Sequence, residues 1–298
     1  MEYHRPVMLK ECISGLSINP KGIYVDVTFG GGGHSIEILK NITSGKLIAF
    51  DQDEEALINR IDDDRFSLLN QNFRYLKNFL RLYNALPVDG ILADLGVSSH
   101  QIDSPERGFS TRFDGELDLR MDKRKKLTAK DVVTKYTETQ LQSVFSQYGE
   151  IRNSAKLAAS IIQFRNSKVI NSTTLLKEAV SDCIDKHTEN KYLAQLFQAL
   201  RIEVNSEMDA LKEMLLQTSE VLKPGGRLVV MSYHSLEDRL VKNFIKSGNF
   251  DGNIEKDFFG NPIVPLKAIN RKPIMASLDE VKENNRARSA KLRIAEKQ

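Results

Sequence analysis

The sequence has few of the residues that build disulfide frameworks and metal clusters, and it lacks long apolar runs. Only Cys12 and Cys183 occur among 298 residues, too few for a disulfide scaffold or a cysteine-rich zinc site. No apolar run approaches the roughly 18 residues of a membrane-spanning helix. The N-terminal stretch MEYHRPVMLKEC also lacks the apolar core of a signal peptide. We therefore expect a cytoplasmic protein with no membrane span and no metal site.

Charge of one sign is missing overall but not locally. The 43 Lys and Arg residues nearly balance the 40 Asp and Glu residues, for a net charge of +3. Residues 1–105 carry a net −4, residues 106–199 a net +4 and residues 200–298 a net +3. This division predicts an acidic ligand-binding surface in the first third and basic surfaces in the remainder.

Short apolar runs alternate with helical segments in the first third of the chain. Such alternation predicts right-handed crossovers and a parallel sheet that helices cover on both faces. The strands are predicted at Ile23–Thr28, Leu47–Asp51, Phe66–Asn70, Val88–Asp94, Arg227–Tyr233 and Ser289–Glu296.

No convincing buried strand occurs between about residues 104 and 191. Apolar spacing there predicts helices, two of them starting at the capping residues Thr128 and Thr137. A long helix predicted over Gln195–Leu222 then leads, through a turn, to the fifth strand. We predict a doubly wound α/β domain of residues 1–105 and 195–298, interrupted by a helical domain of residues 106–194.

The turn after the first strand is rich in glycine, Phe29-Gly-Gly-Gly-Gly-His34. The third glycine of a dinucleotide fingerprint is absent, and no GxxxxGK[ST] motif occurs. Asp51 ends the second strand, where an acid suits ribose hydroxyls. Together with Asp26 and Asp94 it disfavours a pyrophosphate and suits a cationic ligand. S-adenosylmethionine, with its ribose, ammonium and sulfonium, fits this pattern. The alternative that Asp26 and Asp94 only cap backbone stays open.

Two polar loops follow neighbouring strands of the predicted sheet. Asp94-Leu-Gly-Val-Ser-Ser-His-Gln101 follows the fourth strand, and Tyr233-His-Ser-Leu-Glu-Asp-Arg239 follows the fifth. Donors and acceptors at such strand ends indicate a reaction centre. His234 is a candidate for substrate contact, and Ser235 a candidate helix N-cap. The alternative is that these loops only close the crossovers.

These motifs resemble the bacterial ribosomal RNA small subunit methyltransferase H family, which methylates N4 of a cytidine in the decoding region of 16S rRNA. The resemblance runs essentially from end to end. The segments that carry it are His4-Arg-Pro-Val, Asp26-Val-Thr-Phe-Gly-Gly-Gly-Gly-His-Ser35, Asp89-Gly-Ile-Leu-Ala-Asp-Leu-Gly-Val-Ser-Ser99, Glu106-Arg-Gly-Phe-Ser110, Leu117-Asp-Leu-Arg-Met-Asp122, Tyr148-Gly-Glu150, Phe197-Gln-Ala-Leu-Arg-Ile-Glu-Val-Asn205, His234-Ser-Leu-Glu-Asp-Arg239 and Asn285-Arg-Ala-Arg-Ser-Ala-Lys-Leu-Arg293.

The resemblance implies a class I S-adenosylmethionine-dependent methyltransferase fold, Rossmann-like, with an inserted all-helical domain that recognises RNA. It implies cofactor contacts from Gly32, Gly33, His34, Asp51, Phe73, Asp94 and Gln101. For Phe73, which would lie near adenine, a plain core aromatic is the alternative. The chain departs from the family where His100 replaces a usual proline, and Leu119 and Tyr233 replace a common methionine and phenylalanine.

For catalysis the hypothesis is that Asp94, or a nearby carbonyl, accepts a hydrogen bond from the cytosine N4 amine. Ser98, Ser99 and His234 would help to place the base. Methylation at C5 needs a cysteine nucleophile, and both cysteines lie outside the strand-end loops. N-methylation is therefore favoured.

An RNA substrate must present an unpaired or flipped base, because a duplex hides N4. The candidate phosphate contacts are Arg107, Arg112, Arg120, Arg286, Arg288, Lys291 and Arg293, although each charge run has a solvated surface as its alternative. We expect 16S rRNA as partner, within the small ribosomal subunit, with a homodimer left open.

Two other functions remain as alternatives. A DNA cytosine-N4 methyltransferase usually carries a proline-proline-aromatic motif after the fourth strand, where this chain has Asp94-Leu-Gly-Val. A non-enzymatic RNA-binding assembly factor would not need the intact glycine turn with Asp51 and Asp94.

Overall fold

The computed structural model describes residues 6–298, so that His4 and Arg5 of the first family motif lie outside the described residues. The chain divides into two compact units. The sheet unit runs up to Gly96 and again from Met208 to Gln298, and the insert unit is Val97–Glu207. The insert unit is longer at both ends than the predicted helical domain of residues 106–194.

The elements alternate between strands and helices except in the middle of the chain. The strands are β1 (Ile23–Asp26), β2 (Lys46–Phe50), β3 (Phe66–Leu69), β4 (Val88–Asp94), β5 (Leu222–Ser232), β6 (Leu266–Ala268), β7 (Ile274–Met275) and β8 (Lys291–Lys297). The α-helices are α1 (Leu9–Leu16), α2 (Gly33–Asn41), α3 (Leu76–Leu82), α4 (Ser99–Asp103), α5 (Ala129–Lys135), α6 (Glu138–Gln147), α7 (Ser154–Arg165), α8 (Thr173–Val180), α9 (Glu189–Asn205), α10 (Glu207–Val221), α11 (Ser235–Ser247) and α12 (Leu278–Glu283).

Among residues 6–298 the strands form one eight-stranded sheet in the order β3-β2-β1-β4-β5-β8-β6, with β7 also paired to β8. Strands β1 to β5 are parallel, and β8 runs antiparallel to β5. The strand order reverses between β1 and β4, which opens a crevice at their carboxyl ends. The predicted fold class, a Rossmann-like doubly wound sheet with an all-helical insert, is confirmed.

Both faces of the sheet are buried, as the continuous apolar runs predicted. Along β5, Leu228 and Val230 belong to the core on one face, and Val229 and Met231 to the core on the other. This alternation follows from the two-residue period of a strand. Helices α3, α10 and α11 cover the first face, and α1 and α2 cover the second.

The insert unit consists of helices around a core of its own. Within it the structure shows no strand, only an isolated bridge between Glu116 and Ser172. Thr128 and Thr137 are the N-caps of α5 and α6, as predicted, and both form capping boxes, of which the spacing had predicted the one at Thr137. Asn205 joins the end of α9 to the loop before α5, because its amide accepts from the Met121 nitrogen at 2.8 Å and donates to the Leu119 oxygen at 2.8 Å.

The prediction of one helix over Gln195–Leu222 is wrong. The chain breaks at Ser206, whose φ of 52° is left-handed, and two helices result. Leu196 and Leu200 of α9 pack in the insert core, whereas Leu211 of α10 packs against the sheet. One apolar stripe therefore serves two cores, which sequence periodicity does not distinguish.

The predicted turn after this helix is a bulge inside β5. Val88 pairs with Leu222 and Gly90 pairs with Arg227, so the residues between them bulge out of the ladder. Gly225, with a φ of 76°, accommodates the bulge. Within residues 6–298 no helix has the length and apolarity to span a membrane.

Candidate active site

Three carboxylates stand at the carboxyl ends of neighbouring strands in the sheet unit. Asp26 is the last residue of β1, Asp51 follows β2 and Asp94 is the last residue of β4. Because the sheet order is β2-β1-β4, the topology brings these acids to one edge. Thr28 links two of them: its nitrogen donates to Asp26 Oδ1 at 3.1 Å, and its hydroxyl accepts from the Asp94 nitrogen at 2.7 Å.

Asp26 is buried and acts within the fold. Its Oδ2 accepts from the Ser35 hydroxyl at 2.7 Å, which joins the end of β1 to the first turn of α2. Burial raises the pKa of Asp26, while His34 and the hydrogen bond from Ser35 oppose this rise. The alternative that this residue caps the backbone is therefore what the geometry shows for Asp26.

Asp51 holds the glycine turn through its side chain. Oδ2 accepts from the Gly30 nitrogen at 2.7 Å, and Oδ1 accepts from the Asp53 nitrogen at 2.9 Å. Burial raises the pKa of Asp51 to about 6, against these two backbone hydrogen bonds. Each carboxylate oxygen keeps one lone pair, so Asp51 retains acceptor capacity for ligand hydroxyls.

The glycines of the turn differ in their surroundings. A Cβ on Gly32 would come within 2.9 Å of the Phe29 ring, and one on Gly33 within 2.2 Å of Pro6. A Cβ on Gly30 would meet only the Thr28 carbonyl oxygen, at 4.0 Å. Close packing accounts for Gly33, and close packing together with a left-handed φ of 78° accounts for Gly32. Gly30, which was not among the predicted contacts, has open space beside it and a φ of 52°.

Helix α2 begins at this turn without a side-chain cap. Its N-cap, Gly32, offers no side chain to the first backbone N–H groups of the helix. An uncapped helix N-terminus attracts anions through those N–H groups and the helix dipole. A ligand carboxylate therefore suits this end of α2.

Of the three acids, Asp94 accepts the fewest hydrogen bonds through its side chain. Oδ1 accepts from the Tyr233 hydroxyl at 2.8 Å, and Oδ2 lies 3.8 Å from His34 Nδ1. The side chain is 24% exposed. Burial raises the pKa of Asp94 to about 6, and His34 and the Tyr233 hydrogen bond oppose the rise. Asp94 is thus a carboxylate at neutral pH with one oxygen available.

His34 is buried behind Asp94. Its Nε2 lies 3.1 Å from the Val7 carbonyl oxygen, an acceptor, so Nε2 carries the hydrogen. Nδ1 then faces Asp94. The structure therefore gives His34 a contact with Asp94, and its predicted contact with the cofactor stays a prediction.

The N-cap of α11 is His234, so the prediction of Ser235 in that role is wrong. His234 Nδ1 accepts from the Glu237 nitrogen at 3.5 Å, and Glu237 Oε2 accepts from the Tyr233 nitrogen at 2.9 Å. His234 Nε2 lies 3.1 Å from Glu237 Oε1 without a hydrogen-bond geometry, and it has no hydrogen-bond partner within residues 6–298. Capping thus occupies Nδ1 and leaves Nε2 without a hydrogen-bond partner among the described residues.

The candidates of the loop after β4 form a cap of their own in the insert unit. Ser98 is the N-cap of α4: its hydroxyl accepts from the Gln101 nitrogen at 3.2 Å, and Gln101 Oε1 accepts from the Ser98 nitrogen at 3.1 Å. Ser99 is the first residue of α4. The roles of Ser98, Ser99 and Gln101 in binding stay predictions.

Phe73 begins a short 3-10 turn after Asn72 in the sheet unit. It is half-buried and packs against the core that α3 covers. This placement agrees with the core-aromatic alternative, and a role near adenine stays a prediction.

Two of the predicted RNA contacts in the insert are occupied within the fold. Arg107 is 2% exposed and donates to the carbonyl oxygens of Arg120, at 3.0 Å, and Met121, at 3.2 Å. Arg120 forms a bidentate pair with Asp118 at 2.7 and 2.8 Å. Arg107 is buried and Asp118 neutralises Arg120, and the phosphate contacts predicted for both stay predictions. Arg112 is exposed.

The C-terminal candidates divide in the same way. Arg293 is 7% exposed and forms a bidentate pair with Asp238 at 2.7 and 3.2 Å, which ties β8 to α11. Lys291 lies 3.7 Å from the same carboxylate. Arg286 is half-buried and Arg288 is exposed. Arg293 is therefore occupied within the fold, and its predicted phosphate contact stays a prediction.

Both cysteines are buried. Burial raises the pKa of Cys12 well above its usual range, and the charge of Asp94 adds to the rise. The negative charge of Asp94 thus acts on Cys12, although in sequence Cys12 lies far from the strand-end loops. A neutral, buried thiol is not a nucleophile.

The donor set fits S-adenosylmethionine. Carboxylates at Asp51 and Asp94 suit ribose hydroxyls and the cationic groups of the methionine portion, and the uncapped start of α2 suits its carboxylate.

The sequence and the fold were compared with known proteins. The sequence matches the MraW methylase family over residues 1–298. A protein named ribosomal RNA small subunit methyltransferase H from Flavobacterium johnsoniae is 59% identical over 298 residues, covering 100% of this chain and 98% of that protein. One of the same name from Christiangramia forsetii is 57% identical, with the same coverage. Among solved structures, an rRNA methylase from Streptococcus thermophilus aligns over 100% of this chain and 99% of its own, with 14% identity and a TM-score of 0.42.

Proposed function

The chain belongs to the MraW methylase family, and from that premise we propose that it methylates the exocyclic N4 of a cytidine in the decoding region of small-subunit ribosomal RNA. It is an S-adenosylmethionine-dependent rRNA methyltransferase. The observation that carries the choice of N4 is Asp94, a largely buried carboxylate at the end of β4 with one oxygen held by Tyr233 and the other available.

The cofactor supplies an electrophilic methyl group on a positively charged sulfur. Asp51, which already fixes Gly30, accepts from the ribose hydroxyls. The first N–H groups of α2 hold the methionine carboxylate. The acidic strand ends also stabilise the cationic bound cofactor relative to its neutral product, which favours binding before transfer and release afterwards.

Asp94 acts on the substrate amine. The N4 lone pair is conjugated with the cytosine ring, so the amine is a poor nucleophile. A carboxylate that accepts a hydrogen bond from N4 favours the pyramidal amine and stabilises the positive charge that develops on it. With its pKa near 6, Asp94 is ionised at neutral pH and basic enough to accept the proton after transfer.

The cysteines support N4 over C5. Methylation at C5 requires a thiolate that attacks the ring, and both thiols are buried, with the pKa of Cys12 raised well above its usual range. His234 Nε2, which lacks a hydrogen-bond partner among residues 6–298, supports a role in placing the base.

The RNA partner and its setting are part of the proposal. The insert unit recognises RNA, and Arg112 and Arg288, both exposed, supply phosphate contacts. The substrate context is the small subunit in the cytoplasm. Self-association stays a prediction.

A methyl-transfer assay tests the function. Labelled S-adenosylmethionine is given with small ribosomal subunits that lack the modification, with naked 16S rRNA and with DNA, and the methylated nucleosides are identified by mass spectrometry. We expect N4-methylcytidine in the rRNA of the subunits. Label in 5-methylcytidine or only in DNA would contradict the proposal, and subunit binding without transfer would favour an assembly factor.

A further inference from the structure

The ends of β4 and β5 bring a tyrosine hydroxyl onto the candidate catalytic acid. Asp94 pairs with Met231 in the parallel ladder, and the Leu95 nitrogen donates to the Met231 oxygen at 2.9 Å. Tyr233 is two residues further along, with its backbone nitrogen on Glu237 at 2.9 Å. Its ring packs against the core that α1 covers. The ring position is thus fixed from several sides, independently of Asp94.

The hydroxyl divides the two oxygens of the carboxylate. Tyr233 donates to Oδ1 at 2.8 Å, whereas Oδ2 faces His34 Nδ1 at 3.8 Å, beyond hydrogen-bond distance. A phenol donor stabilises the ionised acid, because the hydrogen bond to a carboxylate is charge-assisted. Burial raises the pKa of the Tyr233 phenol well above its usual range, so the hydroxyl stays a donor.

We infer that Tyr233 is a positioning residue: its hydroxyl occupies Oδ1 of Asp94, keeps this buried acid ionised at neutral pH and leaves Oδ2 to accept from the substrate amine. The inference rests on the proposed function for the identity of the amine. The hydrogen bond itself does not depend on the substrate.

Other charged or titratable groups face Asp94 from each element packed around it. They are His34 on α2, Asp26 on β1, Glu237 on α11 and Cys12 on α1. The charges of Asp26 and Glu237 raise the pKa of Asp94, and His34 lowers it. None of these four groups donates a hydrogen bond to the carboxylate, and Tyr233 is its one hydrogen-bond donor among the described residues. Removal of the Tyr233 hydroxyl therefore removes one hydrogen bond that lowers the pKa of Asp94.

The test is the pH profile of Tyr233→Phe, which keeps the ring and removes the hydroxyl. Losing a hydrogen bond to a charged acceptor raises the pKa of Asp94, and we expect a rise of about one unit. The acid limb of kcat then moves to higher pH by the same amount. The rate defect is about fivefold at pH 6 and vanishes near pH 8.5. A defect of the same size at every pH would show a packing role only and would overturn the inference.

Tyr24→Phe is the matched control in the same unit. The Tyr24 hydroxyl accepts from the Asn19 nitrogen at 2.6 Å and, among the described residues, forms no hydrogen bond with the acids of the site. This variant loses a buried hydroxyl as well, and we expect its pH profile to follow that of the wild type.

A measurement without RNA separates the inference from the proposed function. Carboxyl ¹³C NMR titration of the protein alone follows Asp94, whose signal is assigned by its absence in Asp94→Asn. A higher midpoint in Tyr233→Phe supports the inference even if the wild type transfers no methyl group to cytidine N4. Coincident midpoints overturn it, even if the wild type makes N4-methylcytidine.

Discussion

The acids of the sheet unit and the arginines predicted to bind RNA are both recognisable in the sequence. In the structure the two sets differ in how far internal partners occupy their side chains. Asp51 and Asp94 are at the strand ends, each with acceptor capacity left. Arg107 donates to backbone carbonyl oxygens, and Arg293 pairs with Asp238.

Position in the fold and charge differ as signals in a sequence. The acids were predicted from position, because parallel topology gathers the carboxyl ends of strands at one edge. The arginines were predicted from charge, and a guanidinium binds an internal acceptor as readily as a phosphate.

Asp94→Asn should lower the rate of methyl transfer about 10²- to 10³-fold, because an amide is a weak acceptor for a developing ammonium. The measurement is single-turnover transfer at pH 8. Asp89→Asn is the matched control on the same strand, since Asp89 binds the Ile23 nitrogen at 2.9 Å at the opposite end of β4. A near-normal rate for Asp94→Asn would remove Asp94 from the mechanism.

Arg107→Met should lower the free energy of unfolding by about 3 kcal/mol, because one buried and one part-buried carbonyl oxygen lose their donor. Arg112→Met, an exposed arginine in the same unit, should change it by less than about 0.5 kcal/mol. Urea unfolding measures both. Equal effects would mean that burial does not distinguish these two arginines.

The acidic site should cost stability as it ionises. The pKa of Asp94 in the folded protein, about 6, lies above its usual value of 3.8, so the folded state binds the proton more tightly. Stability therefore falls as the pH rises from about 4 to about 6, and Asp94→Asn escapes that fall. Its advantage over the wild type should grow by about 2 kcal/mol between pH 4 and pH 7.5. An advantage that stays constant over this range would contradict the raised pKa.

The exposed arginines should have the smallest effect. Charge reversal at Arg112 and Arg288 together should weaken RNA binding about tenfold at low salt and reduce its salt dependence, because fewer counterions are released. Filter binding at two salt concentrations measures this. Binding that is unchanged at both salt concentrations would show that Arg112 and Arg288 do not contact RNA phosphates.

Much of the sheet unit was predictable because its signals are local. The apolar runs from Ile23 and Val88 form buried strands, and Thr128 and Thr137 start helices as capping residues do. The break at Ser206 was not predictable, because the apolar period continues across it while the core it faces changes. The hydroxyl of Tyr233 on Asp94 joins residues 139 apart, and no local pattern indicates such a pair.

The order of strands and helices, the glycine turn and the acids that end the strands follow from local sequence, since they depend on period, sterics and neighbours in the chain. Which acid keeps an available oxygen, and which arginines bind internal acceptors, follows from long-range packing. Those outcomes depend on what packs against each side chain: Ser35 occupies Asp26, Tyr233 holds one oxygen of Asp94, and Asp238 pairs with Arg293. A buried charge takes the partner that the fold brings to it, because leaving it unpaired costs several kcal/mol.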